Sequence, residues 1–405
     1  MFNLIRALRH RPFALLWSGQ TISRIGDFLY QITLAWWVLE ATGSATAMAT
    51  VLIFSFTPML VFLLFGGVAV DRYPRVPLML ISDVVRGVIV AGIAFLAFMH
   101  TLQLWHIYAA SLLFGIVDAV FQPAYMAMVP SLVPQEDLTS ANALTSFSSQ
   151  GGRILGPALG ALIIKLGGTP IAFAINAASF GISALCLLPL LKQQQAPPEP
   201  TEGERSTIIS DIRMGIATVA QTPWIWLTIA TFALSNVTLS GPYNVAIPFL
   251  VDQVFAGNVT YLGWLYAMFP IGYVLGALWL GRQHSIKRYG WLIYGGGIVA
   301  GIGMAVLGGS VPIGFMLVAA LINGAALEIS GQLWITLLQA RIPNDLLGRV
   351  SSIDMVGSYA FMPVGYALTG WATNTWNAAT VCLLGGVLTV VFTGLGLLHP
   401  AIRKL

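Results

Sequence analysis

The sequence predicts an all-α membrane protein of twelve transmembrane helices in two pseudo-symmetric six-helix bundles. Three observations predict it: an apolar composition, twelve apolar windows of spanning length, and a repeat that relates the two halves. Of 405 residues, 57% are hydrophobic and 8% charged, with a mean hydropathy of +0.82, whereas a soluble chain carries about 25% charged residues. A water-facing exterior of a chain this long needs more charge than that, so the exterior faces lipid.

The first apolar window, 12–40, follows Arg6, Arg9 and Arg11. A basic start before an apolar run is also how a signal peptide begins, but this run exceeds the ~20 residues that cross hydrocarbon and shows no small-residue cleavage site, which makes it the first span. Five more windows follow at 47–70, 76–99, 105–128, 138–166 and 170–191. A polar stretch, KQQQAPPEPTEGERS, then interrupts the pattern with the composition of a flexible linker. The second half supplies six further windows at 223–251, 259–280, 291–307, 312–338, 346–371 and 376–398. Lipid offers backbone amides no partner, so spans of this length are helices; barrel strands alternate over ~10 residues. The expected organisation is a bundle over 1–191, a linker over 192–221 and a second bundle over 222–405.

Basic residues favour the cytoplasmic side of short loops. Both termini and the even-numbered connections hold 15 of the 19 Lys and Arg, the opposite connections hold Lys165, and Arg24, Arg86 and Arg153 fall within spans. Both termini and the linker are therefore expected in the cytoplasm, and the chain in the plasma (inner) membrane as a multi-pass protein. The halves also match at an offset of about 210 residues, the mark of a duplicated unit. Pro12, Phe13 and Leu16 answer Pro223, Trp224 and Leu227; Gly66 and Arg72 answer Gly276 and Arg282; Pro134 and Leu138 answer Pro343 and Leu347; and Asp118 falls on Glu328.

The second connection reads GVAVDRYPR, with Gly67, Asp71, Arg72 and Arg75 in a compact charged turn. It resembles the Gly-x-x-x-Asp-Arg-x-x-Arg signature of the major facilitator superfamily. The segments RPFALLWSGQTISRIGD, FQPAYMAMVPSLVPQEDLTSANAL, GRILGPALGALI and IPNDLLGRVSS are similar to those of the superfamily's macrolide-exporter and enterobactin-exporter branch. The resemblance implies the major facilitator fold and a secondary exporter of amphipathic, drug-like small molecules that exchanges them for protons. Siderophore or lipid-like cargo, and a non-transporting sensor on the same fold, are the alternatives. It further implies that Asp71 pairs with the eleventh helix, whose N-terminal macrodipole carries about half a positive charge, as a gate. The same charges would equally serve to fix topology. The second copy has Gly281 in place of the Asp, so a lock of this kind is one-sided.

In the fifth span Gly152, Gly156 and Gly160 recur every four residues around Pro157, a bare face for close helix contact. By resemblance, a Gly-Pro element here marks exporters that exchange substrate for protons.

A charged side chain inside a span costs about 2.5–3.5 kcal/mol on insertion scales, so those present need a reason. Arg24 and Asp27, and Asp83 and Arg86, lie three apart and are placed to pair on one helix face. Structural pairing suits the third span; for Asp27 a cavity role competes with it. Asp118 and Glu328 have no basic neighbour within a helical turn of their own spans and occupy repeat-equivalent positions, so they are the candidate proton-coupling acids. Asp354, early in the eleventh span, is a weaker candidate, because an acid there also stabilises the helix N-terminus. Tyr30, Trp36, Trp37, Tyr125 and Trp334 are aromatic residues of spans expected to border the cavity. Packing and interfacial roles account for most, and a few suit stacking on an amphipathic or cationic substrate.

Cys186 and Cys382 lie in apolar runs without CxxC spacing, and no phosphate loop, HExxH or GxSxG occurs. No enzyme, cofactor or metal is expected. The expected partners are a small-molecule substrate, protons and the lipid bilayer, not nucleic acid, with the chain a monomer.

Overall fold

The computed structural model describes residues 5–193, 208–283, 286–309 and 311–405, with side chains described at all of these but 63–69, 71, 193, 208–212, 344 and 345. Among the described residues fifteen α-helices follow in chain order: α1 (Arg11–Thr42), α2 (Ala45–Arg72), α3 (Arg75–Phe98), α4 (Leu104–Met128), α5 (Leu138–Leu187), α6 (Ile208–Gln221), α7 (Pro223–Gly241), α8 (Ile247–Val254), α9 (Val259–Gly281), α10 (Tyr289–Leu307), α11 (Ile313–Arg341), α12 (Asn344–Tyr359), α13 (Met362–Thr375), α14 (Ala378–Leu398) and α15 (Pro400–Arg403). No strand occurs among the described residues.

Twelve spans emerge from these helices. Among the described residues, nine stretches are long and apolar enough to cross a membrane by themselves. One of them contains α5, which has 50 residues and as one straight helix would reach about 75 Å, more than twice the hydrocarbon thickness. It is instead two spans, broken at Gly168 (φ 78°, ψ 174°) ahead of Pro170, a backbone conformation glycine adopts freely. A further span is α1, whose middle is diluted by Gln20, Arg24 and Asp27. The eleventh is split into α12 and α13 at Ala360 and Phe361, so neither piece alone is long enough. The seventh runs through α7, a π-helical turn at Pro242–Ala246, and α8.

The chain forms two compact units: Met1–Gly43, Thr50–Pro200 and Asn258–Ala267 in one, Ser44–Ala49, Thr201–Gly257 and Met268–Leu405 in the other. Their internal neighbours repeat. In the first unit α1 packs on both spans of α5, and α3 packs on α5 and α4; in the second, α7 packs on α13 and α14, and α10 packs on α14 and α11. Each of these helix pairs of the first bundle thus has its counterpart, which is the duplication expressed as packing.

Two glycines show the repeat at atomic scale. A Cβ on Gly115 of α4 would strike the Ser55 carbonyl oxygen and come within 3.2 Å of Met59 N, and one on Gly324 of α11 would strike the Phe269 carbonyl oxygen and come within 3.1 Å of Tyr273 N. Backbone cannot retreat as a side-chain tip can, so both crossings require glycine. Gly115→Val and Gly324→Val are each expected to cost ~1–3 kcal/mol through overpacking, read as a lowered Tm of the purified protein; an unchanged Tm would refute the close approach.

The connector holds an element the linker reading did not anticipate. Residues 194–207 lie outside the described set, but Ile208–Gln221 forms α6, which packs on α12: a Cβ on Gly215 would stand 2.6 Å from Ile353 Cδ1, and Arg349 Nη1 reaches Met214 Sδ at 3.0 Å.

Candidate functional site

The ionisable residues of the first bundle converge. Gln20 and Asp27 come from α1, Asp83 and Arg86 from α3, Asp118 from α4 and Ser183 from the sixth span. Arg86 is the hub. Its Nη2 donates to Asp83 Oδ1 at 2.6 Å, and its Nη1 lies 3.5 Å from Asp118 Oδ1. The faces of Phe121 and Phe180 cover the guanidinium, with centroids 4.1 and 4.7 Å from Cζ.

The two carboxylates differ. Asp83 is 0% exposed, and its Oδ2 also accepts from Ser183 Oγ at 2.6 Å and Gln20 Nε2 at 3.3 Å. Asp118 is 31% exposed and, among the described residues, has only the longer contact to Arg86. Asp83 is thus a fixed counter-charge, and Asp118 a loosely held one that water or solute reaches. Asp27 makes no ion pair among the described residues; it is partly buried and within the electrostatic field of Arg86, Asp118, Asp83 and Arg24.

Arg24 does not pair with Asp27. It turns to α4, where its Cζ lies 5.0 Å from the Tyr125 ring centroid, and its Nε has no hydrogen-bond partner. Sequence spacing makes such a pair feasible without requiring it, and here the aromatic face of α4 takes the guanidinium instead. The third-span pair is formed, but Arg86 also serves Asp118, so Asp118 has a basic partner from another helix that its own sequence neighbourhood does not reveal.

The glycine stripe faces α1. A Cβ on Gly152 would lie 3.2 Å from Phe28 Cδ2, one on Gly156 would come within 2.9 Å of the Ile25 carbonyl oxygen, and one on Gly160 within 2.5 Å of Ile32 Cγ2. Pro157 is buried on the same helix. Two hydrogen bonds extend this seam, Trp17 Nε1 to the Leu144 carbonyl at 3.0 Å and Thr21 Oγ1 with Ser148 Oγ at 2.8 Å. Among the aromatic residues, Tyr30 stacks on Phe114 at 5.5 Å, Tyr125 stacks on Phe121 at 6.2 Å, and Trp36 donates to Glu40 at 2.7 Å.

In the second unit Asp354 accepts from Trp334 Nε1 at 3.0 Å and from Ser358 Oγ at 3.3 Å. Because α12 begins at Asn344, Asp354 lies almost three turns inside it, beyond the first turn over which the macrodipole acts. The dipole reading is corrected: the indole N–H, not the helix terminus, satisfies this acid. Trp334 in turn is flanked edge-on by Trp224 at 5.7 Å and Phe232 at 5.9 Å. Glu328 is partly buried on α11, one turn beyond Gly324. Aligned on the two equivalent glycine crossings, Asp118 corresponds to Leu327, so Glu328 sits one residue further along its helix.

Of the charged second connection, Gly67 and Asp71 have side-chain positions outside the described residues. Arg72 is exposed at the end of α2, and Arg75 Nη1 donates to the Ala127 carbonyl near the end of α4 at 2.9 Å. No cluster of metal-ligating side chains occurs among the described residues. Sequence reasoning missed Gln20 and Ser183. The polar amide of Gln20 inside an apolar span is a signal for it; a serine in a span carries none.

Comparison with known proteins places this geometry. The chain is 24% identical over 399 residues to macrolide efflux protein A of Streptococcus pyogenes, covering 97% of each chain, and 25% identical over 406 residues to the enterobactin exporter EntS of Escherichia coli O1:K1 / APEC, covering 98% and 95%. Among solved structures it is similar in fold to a bacterial homologue of the iron transporter ferroportin in an inward-facing state (TM-score 0.74, 16% identity, 96% and 99% covered). It is also similar to the nucleoside transporter NupG (TM-score 0.71, 12% identity, 95% and 98% covered). The family model of the Major Facilitator Superfamily matches residues 16–365, and the chain belongs to that superfamily of membrane transporters.

Proposed function

We propose that the chain is a secondary exporter that releases amphipathic small molecules from the cytoplasm in exchange for protons, by alternating access. The observation that carries the proposal is the unequal sharing of Arg86 by Asp83 at 2.6 Å and Asp118 at 3.5 Å, with Asp118 31% exposed. A guanidinium stays charged whatever the pH, whereas a carboxyl inside the membrane is silenced by one proton. Asp83 keeps Arg86 neutralised throughout; Asp118 gives up its contact when protonated and regains it when the proton leaves. Asp27 adds a second acid within the same field. Glu328 and Asp354 are further acids contributed by the second bundle, and Tyr30, Trp36, Tyr125 and Trp334 are buried within their bundles, where they pack the helices that carry these groups.

The second connection is proposed as the gate, with Arg75 anchoring the turn through the Ala127 carbonyl. The glycine stripe of α5 gives α1 a smooth seam to move against. The basic connections favour a cytoplasmic side for both termini and the linker, and the reading takes the chain as a monomer in the plasma membrane.

Similarity to the macrolide efflux protein favours a macrolide-like substrate; similarity to the enterobactin exporter favours a siderophore as the second reading. Uptake of radiolabelled erythromycin into proteoliposomes with an imposed pH gradient tests the first. Gradient-dependent accumulation is expected, reduced in Asp118→Asn and Glu328→Gln; unchanged coupling in both variants would remove those acids from the mechanism. Protection of an efflux-deficient host against catechol siderophores, without protection against macrolides, would favour the second reading.

A further inference from the structure

Each bundle carries basic residues at the ends of its spans, and the two sets are neutralised differently. In the first bundle Arg6 reaches Asp137 at 2.7 Å and Glu136 at 3.1 Å, and His10 reaches Asp137 at 2.8 Å, so the protein supplies the counter-charge itself. In the second, Lys287 and Arg288 precede α10, Arg403 ends α15 and Lys404 follows it. All four are exposed, and none pairs with a carboxylate among the described residues.

The backbone brings these two distant segments together. Tyr289 N donates to the Leu405 carbonyl at 3.2 Å, and a Cβ on Gly290 would strike the Ile402 carbonyl oxygen, so the start of α10 runs directly against the end of the chain. The anchors are apolar: Ile402 is 0% and Leu405 8% exposed, buried in one core with Ile293 and Tyr294. Between those anchors Arg403 and Lys404 stay exposed, and Arg403 Nε donates to the Leu397 carbonyl at the end of α14 at 3.1 Å. Helices α10 and α14 meet the membrane surface here, because the first begins and the second ends beside the patch. Trp291, 48% exposed, lies one turn beyond Arg288, and Trp279, 43% exposed, one turn before Arg282, the placing of indoles at interface depth. Four exposed cations at that depth, without an internal acid, face lipid headgroups, and each Lys or Arg near an anionic surface adds to the attraction. They are spread along two segments rather than closed into a cradle, which suits several headgroups better than one small ion. The connection before α10 is also among those expected on the cytoplasmic side, where the leaflet is anionic.

We propose that Lys287, Arg288, Arg403 and Lys404 form a docking surface for anionic phospholipid headgroups, assembled when the end of the chain packs beneath the start of α10. The inference goes beyond the exporter reading and does not depend on it.

The test is native mass spectrometry of the full chain in detergent, titrated with phosphatidylglycerol and with phosphatidylcholine of the same acyl chains. Phosphatidylglycerol is expected to bind about tenfold or more tighter than phosphatidylcholine. Changing all four residues to Gln is expected to cut that preference to less than about twofold, and changing either pair alone to remove part of it. Because the four side chains are exposed, the Tm in detergent is expected to stay unchanged. Lys287→Arg with Lys404→Arg, which keeps the charge, is expected to keep the preference. Equal binding of the two lipids by the unaltered protein, or an undiminished preference in the fourfold Gln variant, overturns the proposal. So does an equal loss in Arg9→Gln with Arg11→Gln, which would assign the effect to basic span ends in general. Displacement of phosphatidylglycerol by millimolar inorganic phosphate would assign the surface to a free anion and overturn it as well. No solute or gradient is applied, so the outcome is independent of proton exchange.

Discussion

Replacing Arg86 with Met is expected to lower the stability of the purified protein by ~3–5 kcal/mol, the cost of leaving a buried carboxylate without its partner. Asp83 is 0% exposed and Arg86 3% exposed, so water cannot take over when the guanidinium is removed. The remaining donors, Ser183 and Gln20, are neutral and do not replace a positive charge. Removing both charges is different. In Asp83→Leu/Arg86→Met the isolated charge is gone, Gln20 Nε2 and Ser183 Oγ still bond each other at 2.7 Å, and Phe121 and Phe180 gain an apolar neighbour. The double variant is expected to recover most of the lost stability, since a buried pair exchanged for apolar groups of similar volume is often neutral or better. Thermal unfolding of the two variants in the same detergent measures the difference, and a double variant as unstable as Arg86→Met would show that the pair is not an isolated electrostatic unit.

The second large effect is on transport. Asp118→Asn removes an acid that is 31% exposed and bound only through a 3.5 Å contact, so the fold is expected to tolerate it with a change within about 1 kcal/mol, as for a surface pair. Coupling between proton and solute sites is commonly worth about 5- to 150-fold, and a loss of concentrative uptake in about that range is expected. Asp83→Asn is expected to do the reverse. Its carboxylate is enclosed by Arg86, Ser183 and Gln20, so the substitution acts on stability first. A protein that is stable yet uncoupled in one variant, and coupled but poorly folded in the other, separates the exchangeable acid from the fixed one.

How much of this was legible in the sequence follows from the range of the forces involved. Apolar length is a local property, and the twelve windows correspond to the helices found, including the eleventh, which the chain breaks at Ala360 and Phe361. The Gly168 break was legible too, as Gly-Gly-Thr-Pro between two windows. Side-chain partners across helices were not. Arg86 reads as the partner of Asp83 because both lie on one helix, and nothing in the spacing says that α4 brings Asp118 to the other side of the same guanidinium. Arg24 and Asp27 have the same spacing and stay apart, because Tyr125 offers Arg24 an aromatic face. For Asp354 the missing information was its partner, the Trp334 indole that α11 brings to it. Helix α6 was hidden within a segment whose first half has linker composition; its own amphipathic pattern becomes meaningful once α12 provides a surface to pack on.

The most direct measurement records internal pH with trapped pyranine while erythromycin is added to proteoliposomes holding the protein at uniform pH. Proton movement opposite to the solute flux is expected in the unaltered protein, and none in Asp118→Asn despite a normal Tm. Erythromycin flux without any pH change, or an undiminished pH change in Asp118→Asn, would contradict an exporter that exchanges protons through the acids around Arg86.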